Sequence, residues 1–232
     1  MTQLTPTASF MTCRSPFIIA IALLLVTVGT AAAQTRTSRP SGSRSVEIGG
    51  YALMGQFSFA ASESFDAILG TTSGPIFGGG ATVGLPWGGL FVDLGAWQYA
   101  ESGERALVLD GQVIPLGIPL DVTIVPIEIS AGWKFRIRKL PKLIPYVAGG
   151  YTSLSYTETS TFSDSAEDVD DRFGGYHLRG GAEFKVTRWL GVAGEFAWTA
   201  VPDAIGSGGV SKTFGEDDLG GTSFRARITV GR

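Results

Sequence analysis

Eight segments of alternating apolar and polar residues run through this chain, joined by connections that are alternately long and short. A two-residue period places successive side chains on opposite faces of a strand. Alternating long and short connections are typical of an up-and-down barrel, in which consecutive antiparallel strands pair. The predicted strands are Val46–Phe59, Pro75–Leu85, Gly89–Ala100, Val122–Ile137, Ile144–Tyr156, Arg172–Val186, Trp189–Val201 and Thr222–Val230.

The fourth segment separates its two faces most clearly. Ile127, Ile129 and Trp133 share an apolar face, whereas Glu128 and Lys134 lie on the opposite, polar face. Each segment is long enough for a tilted membrane crossing of about 9 to 11 residues. We therefore predict an all-β fold, an eight-stranded antiparallel up-and-down transmembrane β-barrel.

The charged residues on the polar faces decide which side of the sheet is the interior. They comprise five acids and six bases, and such a nearly balanced set can pair inside a narrow lumen. An unpaired charge there would be costly. We predict a lumen charge network, together with the single histidine, of Glu47, Asp93, Glu128, Lys134, Arg136, His177, Arg179, Glu183, Lys185, Glu195, Arg225 and Arg227.

The first 33 residues have the pattern of an export signal. Arg14 precedes the apolar run Phe17–Val28, and small residues follow before Gln34. This run is short for a membrane-spanning helix, which needs about 20 residues, and resembles a cleavable signal peptide. Cys13 is the only cysteine and precedes the predicted cut, so we expect no disulfide in the mature chain. The predicted organisation is a signal peptide at 1–33, a flexible periplasmic tail at 34–45 and the barrel at 46–232.

Aromatic residues occur near the ends of the predicted strands, where membrane barrels place their interfacial girdles. The alternating connections put both chain termini and the tight turns on the periplasmic side, with four long loops facing outward. We predict one girdle from Trp87, Trp133 and Trp189, and the other from Trp97, Tyr99, Tyr156 and Trp198.

Two of the long loops have unusual compositions. The third, Thr157–Asp171, is acidic, and its oxygen ligands suit either a divalent ion or plain solvation. We favour solvation, because the spacing does not match a calcium-binding loop. The second loop has apolar stretches on both sides of Asp110-Gly111, a tight-hairpin signal. It predicts either an exposed apolar finger or a self-packed loop.

Several of these features resemble a known group of proteins. The export signal, the eight-strand plan, the segment Pro145–Tyr151 that opens a strand, and Arg225 and Arg227 in the closing strand are similar to small outer-membrane β-barrels of the OmpA, OmpX and OmpW type. The resemblance covers residues 46–232, although the chain ends on Gly231-Arg232 rather than on the usual aromatic residue. It implies an outer-membrane location, outer-membrane lipid and lipopolysaccharide as partners, and insertion by the barrel-assembly machinery.

The sequence does not predict an enzyme. His177 is the only histidine, and the two-residue period puts it beside Arg179 on the charged face, away from a lipid substrate. Outer-membrane deacylases use a His-x-Ser arrangement, whereas here Leu178 and Arg179 follow the histidine. We therefore expect a paired lumen histidine, and no catalytic residue, metal or cofactor.

The expected function is a structural or surface-interaction role in the cell envelope, with a surface partner contacted through the long loops. The alternative is a narrow passive channel for small or apolar solutes, as in the OmpW type. An eight-stranded barrel has an interior that its own side chains can fill, which favours the first interpretation. The formal charge of −3 gives no nucleic-acid signature.

Overall fold

The computed structural model describes residues 46–109, 112–160 and 169–231. These residues form eight strands and two short helices, in the order β1, α1, β2 to β7, α2, β8. The strands are β1 (Glu47–Phe59), β2 (Ser73–Gly84), β3 (Leu90–Leu109), β4 (Gln112–Lys134), β5 (Leu143–Thr159), β6 (Val169–Lys185), β7 (Leu190–Ala200) and β8 (Gly221–Gly231), and the helices are α1 (Ser62–Leu69) and α2 (Gly209–Phe214).

The strands close into a single antiparallel barrel in chain order. Each strand pairs with its neighbours in sequence, and β8 returns to pair with β1 from Gly49 opposite Gly231 to Phe59 opposite Gly221. Closure leaves no free sheet edge within the wall, as a strand protein in lipid requires. The prediction of an eight-stranded up-and-down barrel is confirmed.

The apolar face of the wall points outward and the charged face points inward. Leu94, Ile129 and Phe224 are exposed, with Phe224 at 70 % of its full accessible area, whereas Glu128 and Arg225 are buried. An apolar exterior over a polar, buried interior is the arrangement of a membrane barrel and the reverse of a soluble one. Among the described residues, no helix is long and apolar enough to cross a membrane.

The predicted aromatic girdles are correct at one end and partly wrong at the other. Trp87, Trp133 and Trp189 are exposed at the end of the barrel with the tight turns, which we call the short-turn end. At the opposite, long-loop end, Trp198 is exposed and packs edge-on against Tyr176. The other three residues lie inside the barrel because they share the inward parity of their strands: Trp97, Tyr99 and Tyr156.

The first long connection contains a helix that the strand pattern did not predict. In α1, Phe65, Ile68 and Leu69 recur at helical spacing and pack against the apolar residues at the top of the lumen. Gly70 ends the helix in the left-handed conformation, with φ 67°. The helix therefore covers the mouth of the barrel at the long-loop end.

The second long connection is a continuation of the sheet. β3 and β4 stay paired beyond the barrel wall, up to Leu109 opposite Gln112, with one irregularity between Glu104 and Ala106. Gly117 adopts φ +67° there, in a conformation that favours glycine. The third predicted strand therefore ended too early, at Ala100, and the fourth began too late, at Val122. The exposed-finger interpretation of this loop is the correct one. We call residues 101–109 and 112–121 the β3–β4 hairpin.

Some sequence predictions fall on residues outside the described ranges. These are the signal peptide at 1–33, the tail at 34–45, the hairpin tip Asp110-Gly111, and three acids of the third long loop, Asp164, Glu167 and Asp168. The described residues of that loop, except Ser160, belong to strands, because β5 extends to Thr159 and β6 begins at Val169.

Candidate functional site

The interior of the barrel is divided into three zones along its axis. An apolar cluster fills the long-loop end, a group of six charged residues lies across the middle, and a half-exposed rim surrounds the short-turn end. Strand parity produces the middle zone, since every second residue of β3, β4, β6, β7 and β8 points inward. The six residues of the middle zone, which we call the charge network, are Asp93, Glu128, Arg179, Glu195, Arg225 and Arg227.

One half of the charge network is centred on Glu128. Arg225 donates two hydrogen bonds to this carboxylate, each 2.9 Å long, in a bidentate geometry. The indole Nε1 of Trp97 donates a third, at 2.7 Å. Charge-assisted bidentate pairs are among the strongest protein hydrogen bonds. Glu128 is 1 % exposed, so its charge depends on these partners rather than on water.

The other half is centred on Asp93. Arg227 Nη2 donates to Asp93 Oδ2 at 3.0 Å, and Arg179 Nη2 lies 2.8 Å from Oδ1. The hydroxyls of Tyr51 and Thr82 also donate to this carboxylate, at 2.8 and 2.5 Å. Arg227 in addition lies over the Tyr51 ring, 3.5 Å from its centroid, in a cation–π contact.

Glu195 joins the two halves into one chain of alternating charges. Its Oε2 accepts hydrogen bonds from Arg227 Nη1 at 3.0 Å and from the Tyr146 hydroxyl at 2.9 Å. Its Oε1 lies 3.7 Å from Arg225 Nη1, and Arg179 Nη1 is 3.8 Å from Oε2. Three carboxylates thus face three guanidinium groups, and the buried group is formally neutral.

The remaining predicted network residues lie outside this buried group. Lys134 is 3.5 Å from Glu183, and Arg136 is 3.4 Å from Glu47 at the exposed rim. Glu47 therefore contacts β4 and does not reach the arginines of β8. Lys185 is half-buried at the end of β6 and has no ion-pair partner among the described residues.

A small cavity separates the charge network from the rim. Its volume is about 20 Å³, and Asp93, Lys134, Tyr146, Glu183 and Thr229 are among the residues that line it. That space accommodates about one water molecule. It therefore has room for one water beside the ion pairs and is too small for an organic ligand.

His177 is buried beside the charge network and is held by two hydroxyl groups. Its Nε2 lies 2.8 Å from Ser130 Oγ and its Nδ1 lies 2.7 Å from Thr152 Oγ1. A serine next to a histidine is the first half of a nucleophilic catalyst. Here, however, Ser130 is 2 % exposed and a threonine occupies the place of an acidic orienting residue. The pair satisfies buried polar groups inside the wall.

The apolar cluster closes the long-loop end above the charges. Phe57, Phe59 and Tyr99 pack edge-on or tilted against one another and against Trp97, and Phe65 of α1 stacks on Phe59 with ring centroids 3.7 Å apart. This cluster also contains buried aliphatic residues of β2, β4 and β5. The buried members of this cluster are at most 7 % exposed, so their packing excludes water from the upper lumen.

A carboxylate from the last long loop holds α1 over this cluster. Glu216 accepts hydrogen bonds from the backbone amides of Glu63 and Ser64, at 3.0 and 2.8 Å, and from the Ser64 hydroxyl at 2.6 Å. These amides belong to the first turn of α1, which has no capping side chain of its own. A negative charge at a helix N-terminus is favourable, so Glu216 connects the helix to the neighbouring β7–β8 loop.

Sequence reasoning missed the uncharged partners of the network. Tyr51, Trp97 and Tyr146 each donate a hydrogen bond to one of the three carboxylates. All three lie at alternate strand positions whose side chains point into the barrel, as the charged residues of the network do. This alternation could have identified the three residues from the sequence. For Trp97 it contradicts the predicted girdle position, which requires an outward-facing side chain.

Comparison with known proteins identifies the family. A family model described as the outer membrane protein beta-barrel domain matches residues 19–230. The chain belongs to this family. Several solved structures match this outer-membrane barrel, whereas no curated protein sequence matches it. Its location is the outer membrane.

Two solved structures illustrate the fold of this outer-membrane barrel. A major outer membrane protein from Thermus thermophilus has 13 % sequence identity and a TM-score of 0.51, with 81 % of this chain and 100 % of that one covered. Neisserial surface protein A has 12 % identity and a TM-score of 0.50, with 82 % and 99 % covered. At such identities the likeness extends to the fold alone.

Proposed function

We propose that this outer-membrane barrel is a non-enzymatic, non-conducting protein that acts as a structural and surface-interaction module of the cell envelope. The observation that carries the proposal is the filling of the lumen at two successive levels. Across the middle, three carboxylates and three guanidinium groups contact one another at 2.8 to 3.8 Å. Above them lies the apolar cluster covered by α1.

An ion that crossed this interior would have to break both levels. Displacing Arg225 from Glu128 separates two buried charges from their main partners, which costs several kcal/mol. The apolar cluster above has no charged side chain and only a few polar atoms, such as the Tyr99 hydroxyl, too few to replace the hydration shell of an ion. Together these barriers support a closed barrel over a passive channel.

The geometry of the only histidine supports a non-enzymatic role. Ser130 and His177 are 2 % and 1 % exposed, and the cavity near the rim is lined by neither of them and has room for only about one water. A hydrolytic site needs room for a reacting carbonyl about 3 Å from both its nucleophile and its oxyanion donors. Neither lipid nor peptide has that access at Ser130.

The β3–β4 hairpin supports the surface-interaction part of the proposal. Its side chains Leu107, Leu109, Ile114 and Leu116 are exposed, with Leu109 at 57 %. Apolar side chains grouped on a surface beyond the membrane are typical of a contact site rather than of a solvated loop. Beyond Asp121, where pairing with β5 ends, β4 of the hairpin pairs only with β3.

Reconstituted protein is expected to give no stable conductance in planar bilayers. The physical reason is that side chains fill the lumen at two levels, so side-chain motion at one level alone does not open a path for ions. Glu128→Ala, which breaks the middle level, should also remain closed because the apolar cluster is intact. Reproducible single-channel steps from the wild-type protein would overturn the proposal in favour of the passive channel.

Removing apolar side chains from the β3–β4 hairpin is expected to reduce adhesion of intact cells to hexadecane droplets. Leu107→Ser combined with Leu109→Ser takes away two of its exposed apolar groups. The matched control is Ile137→Ser with Leu140→Ser, which removes exposed apolar groups from the short-turn end and should leave adhesion unchanged. Equal adhesion of wild-type and hairpin-variant cells would show that the hairpin is covered at the cell surface.

A further inference from the structure

The two ends of the barrel carry opposite charge. At the short-turn end, bases dominate, and Glu47 and Glu183 are the only acids among the described residues there. Both of these acids are already paired, with Arg136 and Lys134. At the long-loop end acids dominate instead, for example Asp203, Glu216 and Asp217 in the last loop. The short-turn end therefore has an excess of cations that the protein itself does not neutralise.

Four of these cations are exposed and free. Arg138, Lys139, Lys142 and Arg188 lie in the β4–β5 and β6–β7 turns, and among the residues that the structure describes none has a side-chain hydrogen bond or ion pair. The carbonyl oxygen of Lys142 accepts a hydrogen bond of 2.8 Å from the Lys185 amide. This bond pairs the last residue of the β4–β5 turn with the last residue of β6, next to the β6–β7 turn, so the cations of the two turns are neighbours, and we call these four residues the cationic patch.

Apolar side chains alternate with the cations along the same turn. Phe135, Ile137 and Leu140 are exposed beside Arg138 and Lys139, and Trp189 is exposed next to Arg188. Exposed tryptophan and aliphatic groups at the end of a transmembrane strand lie at the level of the lipid headgroups. The cations that they flank are therefore at the membrane surface and not free in the periplasm.

We propose that this cationic patch binds anionic phospholipid headgroups of the inner leaflet of the outer membrane. Arg138 and Arg188 would contact the phosphates as planar donors, Lys139 and Lys142 would supply point charges, and Leu140 and Trp189 would pack against the upper acyl chains. A soluble anionic partner would use the charges but not the apolar groups between them. This inference rests on the outer-membrane location and is independent of whether the lumen conducts.

Quenching of tryptophan fluorescence by brominated lipids tests the proposal. The folded protein is placed in vesicles containing brominated phosphatidylglycerol or brominated phosphatidylcholine, and relative binding is read from the quenching. Trp87, Trp133 and Trp189 report on the short-turn end, Trp97 is buried inside the barrel, and Trp198 at the long-loop end contributes a background that both double variants share. We expect a preference for phosphatidylglycerol that falls at least about five-fold in Arg138→Gln/Arg188→Gln, since each surface cation contributes roughly that factor.

The control removes two positive charges from the opposite end of the barrel. Arg172→Gln/Lys212→Gln makes the same change in net charge at exposed positions near the long loops and should keep the preference. Circular dichroism and heat-modifiable gel migration verify that both variants are folded. The proposal is overturned if the wild-type protein shows no preference, or if both double variants lose it equally, which would indicate bulk charge rather than a site.

Discussion

Replacing Glu128 with alanine is expected to lower the free energy of unfolding by about 3 to 5 kcal/mol. The substitution removes the acceptor of both Arg225 hydrogen bonds and of the Trp97 indole. Arg225 would keep one carboxylate, Glu195 at 3.7 Å, and the Ser223 hydroxyl at 2.8 Å from its Nε, while remaining buried. Urea titration in detergent, with the folded fraction read from heat-modifiable gel migration, measures the change.

Glu47→Ala is the matched control for this experiment. Glu47 also pairs with an arginine, but the pair lies at the rim, and the Arg136 side chain is 76 % exposed. An exposed pair contributes at most about 1 kcal/mol. If Glu128→Ala proves as mild as Glu47→Ala, water reaches the middle of the lumen and the network is not sealed.

Gly150→Val is expected to lower the free energy of unfolding by about 3 kcal/mol or more, through overpacking. A Cβ at Gly150 would collide with the carbonyl oxygen of Ile129 and would lie 2.7 Å from Ser130 Cα, both backbone atoms of the neighbouring strand. A closed barrel restricts the separation of β4 and β5 that would relieve this contact. The same urea titration measures the loss.

Gly194→Val provides the matched control, because it makes the same chemical change on the outside of the wall. A Cβ at Gly194 meets no atom within 4 Å, and its neighbours Val192 and Phe196 are exposed apolar residues of the outer face. A β-branched side chain is favourable in such a strand position. Equal stability of the two variants would contradict the close approach of β4 and β5 at Gly150.

The strand pattern predicts most of the fold for a simple reason. A period of two fixes which side chains share a face, and the charged set at Asp93, Glu128 and Arg225 could be tolerated only where charges can pair. The alternation of long and short connections then gives the antiparallel order. All eight strands follow from these two local signals, and only their ends differ.

The sequence pattern does not predict contacts that depend on the register between strands. That Glu128 pairs with Arg225 while Glu47 pairs with Arg136 depends on the stagger of strands across the barrel, which a single-strand pattern does not encode. The same holds for Glu216 and Ser64, which are far apart in the chain and meet because β8 closes the barrel onto β1. Helix α1 itself was detectable, because its apolar residues repeat at helical spacing within a loop.

A double-mutant cycle on Glu128 and Arg225 tests the closed charge network most directly. The variants are Glu128→Met, Arg225→Met and the two combined, each unfolded in urea from the same detergent. A dry pair predicts that each single substitution costs about 3 to 5 kcal/mol and that the double variant recovers most of this loss, because no unpaired charge remains. Additive losses, with the double variant as unstable as the two singles together, would contradict a sealed interior.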